Sequence, residues 1–295
     1  MQRVVVYGGL LVATALIVGR PLIGHLRPKK NVKIVAHTGD GVLPAALPNT
    51  DARLTQEVRT VRVGEQDRGY LLLRPVTMAS ERRYPLVLVL HGDGGTAGSY
   101  HGAYKFERGS GEDAVLAYPD GVGSTWELER ATDNKDVAYL EALVAQVSSE
   151  LPIDRERVFA TGYSSGGFMA NVLACQRPGL LRAISSSAGG APYNQKETWP
   201  NGYPKCPGQK PVAMLALHGL MDMGVTPDSG RFSAEYWAYV NGCNTDEMET
   251  TRYPECHAFR GCPRGLDVAH CEIRGLGHWV WDRSPEITWA FFMAQ

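Results

Sequence analysis

From residue 58 onward, Val58–Val63 (VRTVRV) alternates apolar and polar positions, the two-residue period of a half-buried strand. The run GYLLLRP predicts a second strand, ended by Pro75. Pro85–Gly92 (PLVLVLHG) is continuously apolar and rich in Val and Leu, which predicts a strand covered on both faces, as in a parallel sheet. DAVLAYPDG repeats that texture and stops at Pro119, Asp120 and Gly121. The period then changes. Asp136–Leu151 places Val137, Leu140, Leu143, Val144 and Val147 on one helical face, with Asp136, beside Asp133, as the expected cap. Further strands are predicted in DRERVFATG, RAISSSAGG, PVAMLALHG and LDVAHCEIRG, and further helices over Arg231–Val240 and Pro285–Met293. Strand and helix alternate through the core, so the expected class is α/β, with a mostly parallel central sheet and helices on both faces.

The N-terminus is patterned differently. Arg3 precedes the uncharged apolar run Val4–Gly19, and Arg20 closes it, the layout of a secretory signal. The run is shorter than the roughly 20 residues of a usual membrane span. No clear A-x-A cleavage site follows, and Arg20, Arg27, Lys29 and Lys30 oppose easy translocation. Residues 1–30 are therefore read as a signal peptide or an N-terminal membrane anchor. Both send the rest of the chain out of the cytoplasm, and the anchor would tether it to the membrane. Residues 31–54, with Pro44, Pro48 and little periodicity, are expected to be a linker, and residues 55–295 one domain.

Composition adds two constraints. A formal net charge of −1 gives no electrostatic footing for nucleic acid. Six cysteines, Cys175, Cys206, Cys243, Cys256, Cys262 and Cys271, form an even set that suits disulfides in an exported chain, although six allow 15 pairings. Buried free thiols are the alternative. No C-x-x-C motif occurs, and no metal, nucleotide or flavin signature is present, so no cofactor is expected.

Gly162-Tyr163-Ser164-Ser165-Gly166 is a G-x-S-x-G motif after a predicted strand and before a helix. A tight strand-to-helix turn lifts the Ser164 hydroxyl clear of the sheet, and glycine suits the flanking positions because side chains there would meet backbone. The Ser165 N–H, at the helix start, can face a developing oxyanion. A serine nucleophile needs a base, and in this arrangement the order along the chain is Ser, acid, His. Of the downstream histidines, His218 precedes the candidate acids, His257 lies in a Cys-rich loop and His270 inside a strand, whereas His278 lies in the turn after the last strand. Asp222 lies just past a strand end and is the favoured acid; Asp228 is the second choice. His91-Gly92-Asp93 ends a buried strand, making the Asp93 N–H the candidate second oxyanion donor and His91 a structural residue.

The segments LHGDGG, YPDG, DVAYLEALV, ATGYSSGGFMANVLAC, LALHGLMD and GLGHWVWD occur in this order over about residues 58–292. Together they resemble the secreted polyhydroxybutyrate depolymerase and feruloyl esterase group of α/β-hydrolases. The resemblance implies an α/β-hydrolase catalytic domain and an exported serine esterase acting on feruloyl, hydroxyalkanoate or acetyl esters. It implies Ser164, Asp222 and His278 as the triad, and Trp281 or Trp279 as the tryptophan that follows the base. It also suggests the pairings Cys175–Cys206, Cys262–Cys271 and Cys243–Cys256. No polymer-binding appendage is visible, which weighs against a polymeric substrate. Ala191–Lys210, with Tyr193, Trp199 and Tyr203, is either a wall of the substrate pocket or a loop whose aromatics pack on the body. A serine peptidase of the same fold and a catalytically idle cell-surface binding protein are the competing readings.

Overall fold

The computed structural model describes residues 32–37, 41–49 and 52–295, and Val32–Gln295 pack as one compact unit. The predicted signal or anchor over residues 1–30 lies outside the described residues. In chain order the strands and helices are β1 (Lys33–Val35), β2 (Leu54–Val63), β3 (Gln66–Pro75), β4 (Tyr84–Leu90), α1 (Ala97–Ala103), α2 (Glu107–Ser110), β5 (Val115–Pro119), α3 (Lys135–Glu150), β6 (Ile153–Tyr163), α4 (Ser165–Gln176), β7 (Ala183–Ser187), β8 (Glu197–Thr198), β9 (Pro204–Lys205), β10 (Ala213–Gly219), α5 (Pro227–Asn241), β11 (Asn244–Thr250), β12 (Cys256–Arg260), β13 (Val268–Ile273) and α6 (Ser284–Ala294).

Among the described residues one sheet has eleven strands in the order β1-β11-β12-β13-β10-β7-β6-β4-β5-β3-β2. Its centre, β13-β10-β7-β6-β4-β5, is parallel throughout, and the β2–β3 and β11–β12 hairpins extend it with antiparallel pairs. The alternation along β4 shows why both faces are apolar. Leu86, Leu88 and Leu90 enter the core under α3, α4 and α5, while Val87 and Val89 enter the core on the other face, under α1 and α6. The expected fold class is thus the observed one. Strands β4, β6, β10 and β13 run in the same direction, so their C-terminal ends share one edge of the sheet, where the loops carrying Asp93, Ser164, Asp222 and His278 emerge.

Three differences from the sequence expectations have physical reasons. The cap of α3 is Asn134, which accepts from the N–H groups of Asp136 and Val137. Asp136 is instead buried and paired with Arg68 at 2.8 Å, an ion pair that sequence periodicity does not reveal. Part of the expected linker is packed: Lys33–Val35 pairs with β11, Leu43 is fully buried, and the Tyr253 hydroxyl donates to Pro44 O at 2.9 Å. Two of the suggested disulfides are exchanged. Cys175–Cys206 forms as expected, but the other bridges are Cys243–Cys262 and Cys256–Cys271. Strand register decides this. Antiparallel β12 and β13 place Cys256 directly opposite Cys271, with Cα atoms 3.9 Å apart. The β11–β12 hairpin pairs Asn244 with Arg260, which brings the flanking Cys243 and Cys262 to 4.0 Å.

Peptide mapping of the native, non-reduced protein should recover the three pairs 175–206, 243–262 and 256–271; a peptide linking Cys262 to Cys271 would contradict the register of β12 and β13. Replacing Cys256 and Cys271 together by Ala should lower unfolding stability by about 3 kcal/mol, the scale of a loop of this size, read from denaturant titration.

Candidate active site

The turn between β6 and α4 is a single residue, Ser164. Ser164 has φ 53° and ψ −120°, a backbone conformation that non-glycine residues avoid and that costs about 1–3 kcal/mol. Its surroundings over-determine it. The Ser164 N–H donates to Ser187 O at 2.9 Å and its carbonyl accepts from Phe168 N–H at 3.0 Å, so one residue joins β7 to the first turn of α4. The neighbouring glycines are required by contact. A Cβ on Gly162 would stand 2.2 Å from Gly166 O, and one on Gly166 would stand 2.3 Å from Leu90 O and 2.4 Å from His91 O. Helix α4 can therefore start directly over the end of β4.

The second wall comes from the loop after β4. Gly92 lies against the Tyr163 ring and the Ser164 side chain, with a hypothetical Cβ 2.7 Å from Tyr163 Cδ1 and 3.3 Å from Ser164 Cβ. His91 is buried, and that burial pushes its pKa down. Its Nε2 accepts from Gly121 N–H at 3.0 Å, so the proton sits on Nδ1 and is donated to Gly92 O at 2.8 Å. Gly95 N–H donates to the same oxygen at 3.0 Å. In a trans peptide the N–H opposes the C=O, so the Asp93 N–H faces away from His91. The N–H groups of Asp93 and Ser165 have no protein acceptor among the described residues. The Asp93 carboxylate is exposed and accepts from the Thr125 hydroxyl at 2.6 Å.

The turn after β10 and the turn after β13 are bonded to each other. Leu220 N–H donates to Ile273 O at 2.9 Å and Met221 N–H to Leu276 O at 3.0 Å. Between these turns the geometry closes: His278 Nε2 lies 2.9 Å from Ser164 Oγ and His278 Nδ1 lies 2.8 Å from Asp222 Oδ2. Asp222 Oδ1 accepts from Gly224 N–H at 2.8 Å and Val225 N–H at 2.9 Å. The Asp222 side chain has no exposure, whereas that of His278 is 29% exposed, so the imidazole can meet a molecule from solvent and the carboxylate cannot. Such a chain can deprotonate a serine hydroxyl beside two free N–H donors.

Asp228, the alternative acid, is instead bonded to Arg231 within its own helix. His257 belongs to β12 rather than to a loop and pairs in register with His270, whose pKa burial pushes down to about 3. Trp279 is 42% exposed, and its ring lies 5.0 Å from that of Tyr163. Trp281 is half-buried in the core under α1 and α6, with the Arg283 guanidinium over its ring. Trp199 packs on Tyr239, with Lys205 over its ring. Of the two readings of the Ala191–Lys210 segment, packing on the body describes Trp199 and Tyr203, while Tyr193 stands edge-on to Phe168 in the first turn of α4.

Two residues at the site were not singled out from sequence. Tyr163, the variable residue of the serine motif, donates its hydroxyl to His278 O at 2.8 Å. Burial pushes its pKa up to about 12, which keeps it a donor. His218 lies 3.2 Å from Asp222 Oδ2 through Nε2. Its signal was the i, i+4 spacing to the acid, which is legible only once both are known to share a turn.

Comparison with known proteins identifies the family of the chain. The phospholipase/carboxylesterase family matches residues 125–264. The probable feruloyl esterase C of Aspergillus flavus is 31% identical over 244 residues, covering 77% of this chain and 84% of that protein. The feruloyl esterase C of Emericella nidulans is 29% identical over the same shares of both chains. Among solved structures, an acetyl xylan esterase from Aspergillus awamori superposes with a TM-score of 0.63 at 21% identity, covering 80% of this chain and 99% of its own. That likeness establishes the α/β-hydrolase fold.

Gly166→Ala tests the backbone contact under the turn. Its Cβ has nowhere to go without moving β4 or α4, so the variant should lose about 1–3 kcal/mol of stability, visible as a lower melting temperature. An unchanged melting temperature would show that α4 can shift freely over β4.

Proposed function

Because this chain belongs to the feruloyl esterase C family of α/β-hydrolases and is a carboxylic ester hydrolase, we propose that it cleaves its esters through Ser164, His278 and Asp222 with an acyl-enzyme intermediate. The observation that carries the reading is the continuous hydrogen-bonded chain from Ser164 Oγ through His278 to Asp222, at 2.9 and 2.8 Å, at a serine held in a strained turn. Ser164 Oγ attacks the ester carbonyl as His278 Nε2 takes its proton. Asp222, bonded to Nδ1, holds the required tautomer and stabilises the imidazolium. The N–H groups of Asp93 and Ser165 receive the oxyanion. His278 then returns the proton to the leaving alcohol. Water enters by the same route in reverse and releases the acid.

The acyl groups proposed are of the feruloyl and acetyl type, with hydroxyalkanoates third. The names of the relatives support the first two. An exposed Trp279 edge-on to Tyr163, beside the base, offers a flat apolar surface for an aromatic acid. The protein is proposed to act outside the cytoplasm. Three disulfides among the described residues, with no free cysteine, fit an oxidising compartment.

Ser164→Ala should lower kcat on methyl ferulate or 4-nitrophenyl acetate by roughly 10⁴–10⁶ with the melting temperature retained. Activity within tenfold of wild type would remove Ser164 from the mechanism. The two acids separate in the same assay. Asp222→Asn should cost roughly 10³–10⁴ in kcat through the wrong tautomer of His278, whereas Asp228→Asn should cost little. The reverse pattern would move the acid to Asp228.

A further inference from the structure

Asp222 is touched by two histidines, and only one of them reaches Ser164. His218, the penultimate residue of β10, is buried with its side chain fully sealed from solvent. Its Nε2 lies 2.8 Å from Val225 O, to which it donates, and 3.2 Å from Asp222 Oδ2, so Nε2 carries the ring proton. Nδ1 has no hydrogen-bond partner among the described residues. It faces Gly230 of α5, where a Cβ would stand 2.4 Å away. A second proton on Nδ1 would be buried without an acceptor, and burial accordingly pushes the pKa of this imidazole down. His218 is a neutral, single-donor ring.

The carboxylate needs such a donor. Gly224 and Val225 N–H groups pin Oδ1 only. The two oxygens turn together about Cβ–Cγ through a torsion with a broad minimum, so Oδ2 is held only as firmly as the Gly224–Val225 turn that holds Oδ1, and His218 is bonded to the Val225 carbonyl of that turn. Oδ2 is the oxygen that bonds His278. During turnover His278 must serve Ser164 first and the leaving group afterwards, so it cannot be the sole restraint on its own orienter.

We propose that His218 is a positioning residue of the esterase: bonded to Val225 O and in contact with Asp222 Oδ2, it holds the turn that carries the carboxylate, so that Asp222 stays aimed at His278 Nδ1 throughout the cycle. This rests on the triad reading of Ser164, His278 and Asp222.

The experiment is a double-mutant cycle on kcat and KM for 4-nitrophenyl acetate, using His218→Leu, His218→Gln, Asp222→Asn and the His218→Leu/Asp222→Asn pair. His218→Leu should lower kcat about 10–100-fold, the cost of a misplacement of order 1 Å, while KM changes by less than about threefold. His218→Gln, whose amide nitrogen can stand near the Nε2 position, should recover most of that loss. If His218 acts through Asp222, the double variant should be no slower than Asp222→Asn alone. The proposal is overturned if well-folded His218→Leu keeps kcat within about twofold of wild type, or if the two losses multiply in the pair as independent effects do. Wild-type activity in Asp222→Asn would overturn the triad reading itself, a result distinct from either of these. Should His218→Leu not fold, Gly230→Ala pushes the intact ring from its other side. That variant must show the same kcat loss and the same non-additivity with Asp222→Asn, and full additivity there would again overturn the proposal.

Discussion

A carboxylate with no solvent exposure sits at the end of β10, and the arrangement of the site follows from how it is satisfied. Burying an unpaired charge is among the most costly things a fold can do. Asp222 meets that cost with three N–H groups, two from its own turn and one from His278, and with the His218 ring 3.2 Å away, which is bonded to Val225 O of the same turn. Each donor constrains a different part of the molecule. Gly224 and Val225 shape the turn into α5, His218 ties that turn back to β10, and His278 brings in the loop after β13. The hydrogen bonds from Leu220 and Met221 to Ile273 and Leu276 reinforce the same closure. Moving the carboxylate would unseat two loops at once.

The legible part of the fold was the part with a strong period. β4, with both faces buried, and α3, with its one apolar face, appear where the hydrophobic pattern places them. The illegible part lies where secondary structure is stabilised by partners rather than by pattern. β11 (NTDEMET) is polar and half-exposed, and it exists because β12 and β1 pair with it. The packed stretch around Leu43 carries one buried apolar residue among prolines, too little for any periodicity to mark. The exchanged disulfides have the same origin. The pairing of Cys256 with Cys271 is a statement about register, and register cannot be read for a β12 that sequence texture does not announce.

For the candidate site, chain order and local texture picked out Ser164, Asp222 and His278, each in the turn after a strand, and the structure brings these three within hydrogen-bond distance. Order and texture did not pick out Tyr163 or His218. Tyr163 occupies a motif position that tolerates many residues, and its bond is to a main-chain oxygen 115 residues away in sequence. His218 is set aside by chain order, because it precedes the candidate acids. Its contact with Asp222 depends on a turn conformation set by backbone donors. Trp199, for which the segment leaves a ligand wall and packing on the body both open, packs half-buried on Tyr239 with Lys205 over its ring.

The contact of Gly166 with the carbonyls of Leu90 and His91 contains no side chain from any of the three residues. The spacing between the turn that presents Ser164 and the loop that presents Asp93 is thus set by main chain against main chain. No rotamer needs to be frozen to assemble that geometry, so no side-chain entropy is surrendered there as a substrate approaches its transition state. Nor can variation at these positions loosen or retune it. Change in what such an enzyme accepts must therefore be written in the loops around the edge, while the spacing beneath them stays invariant.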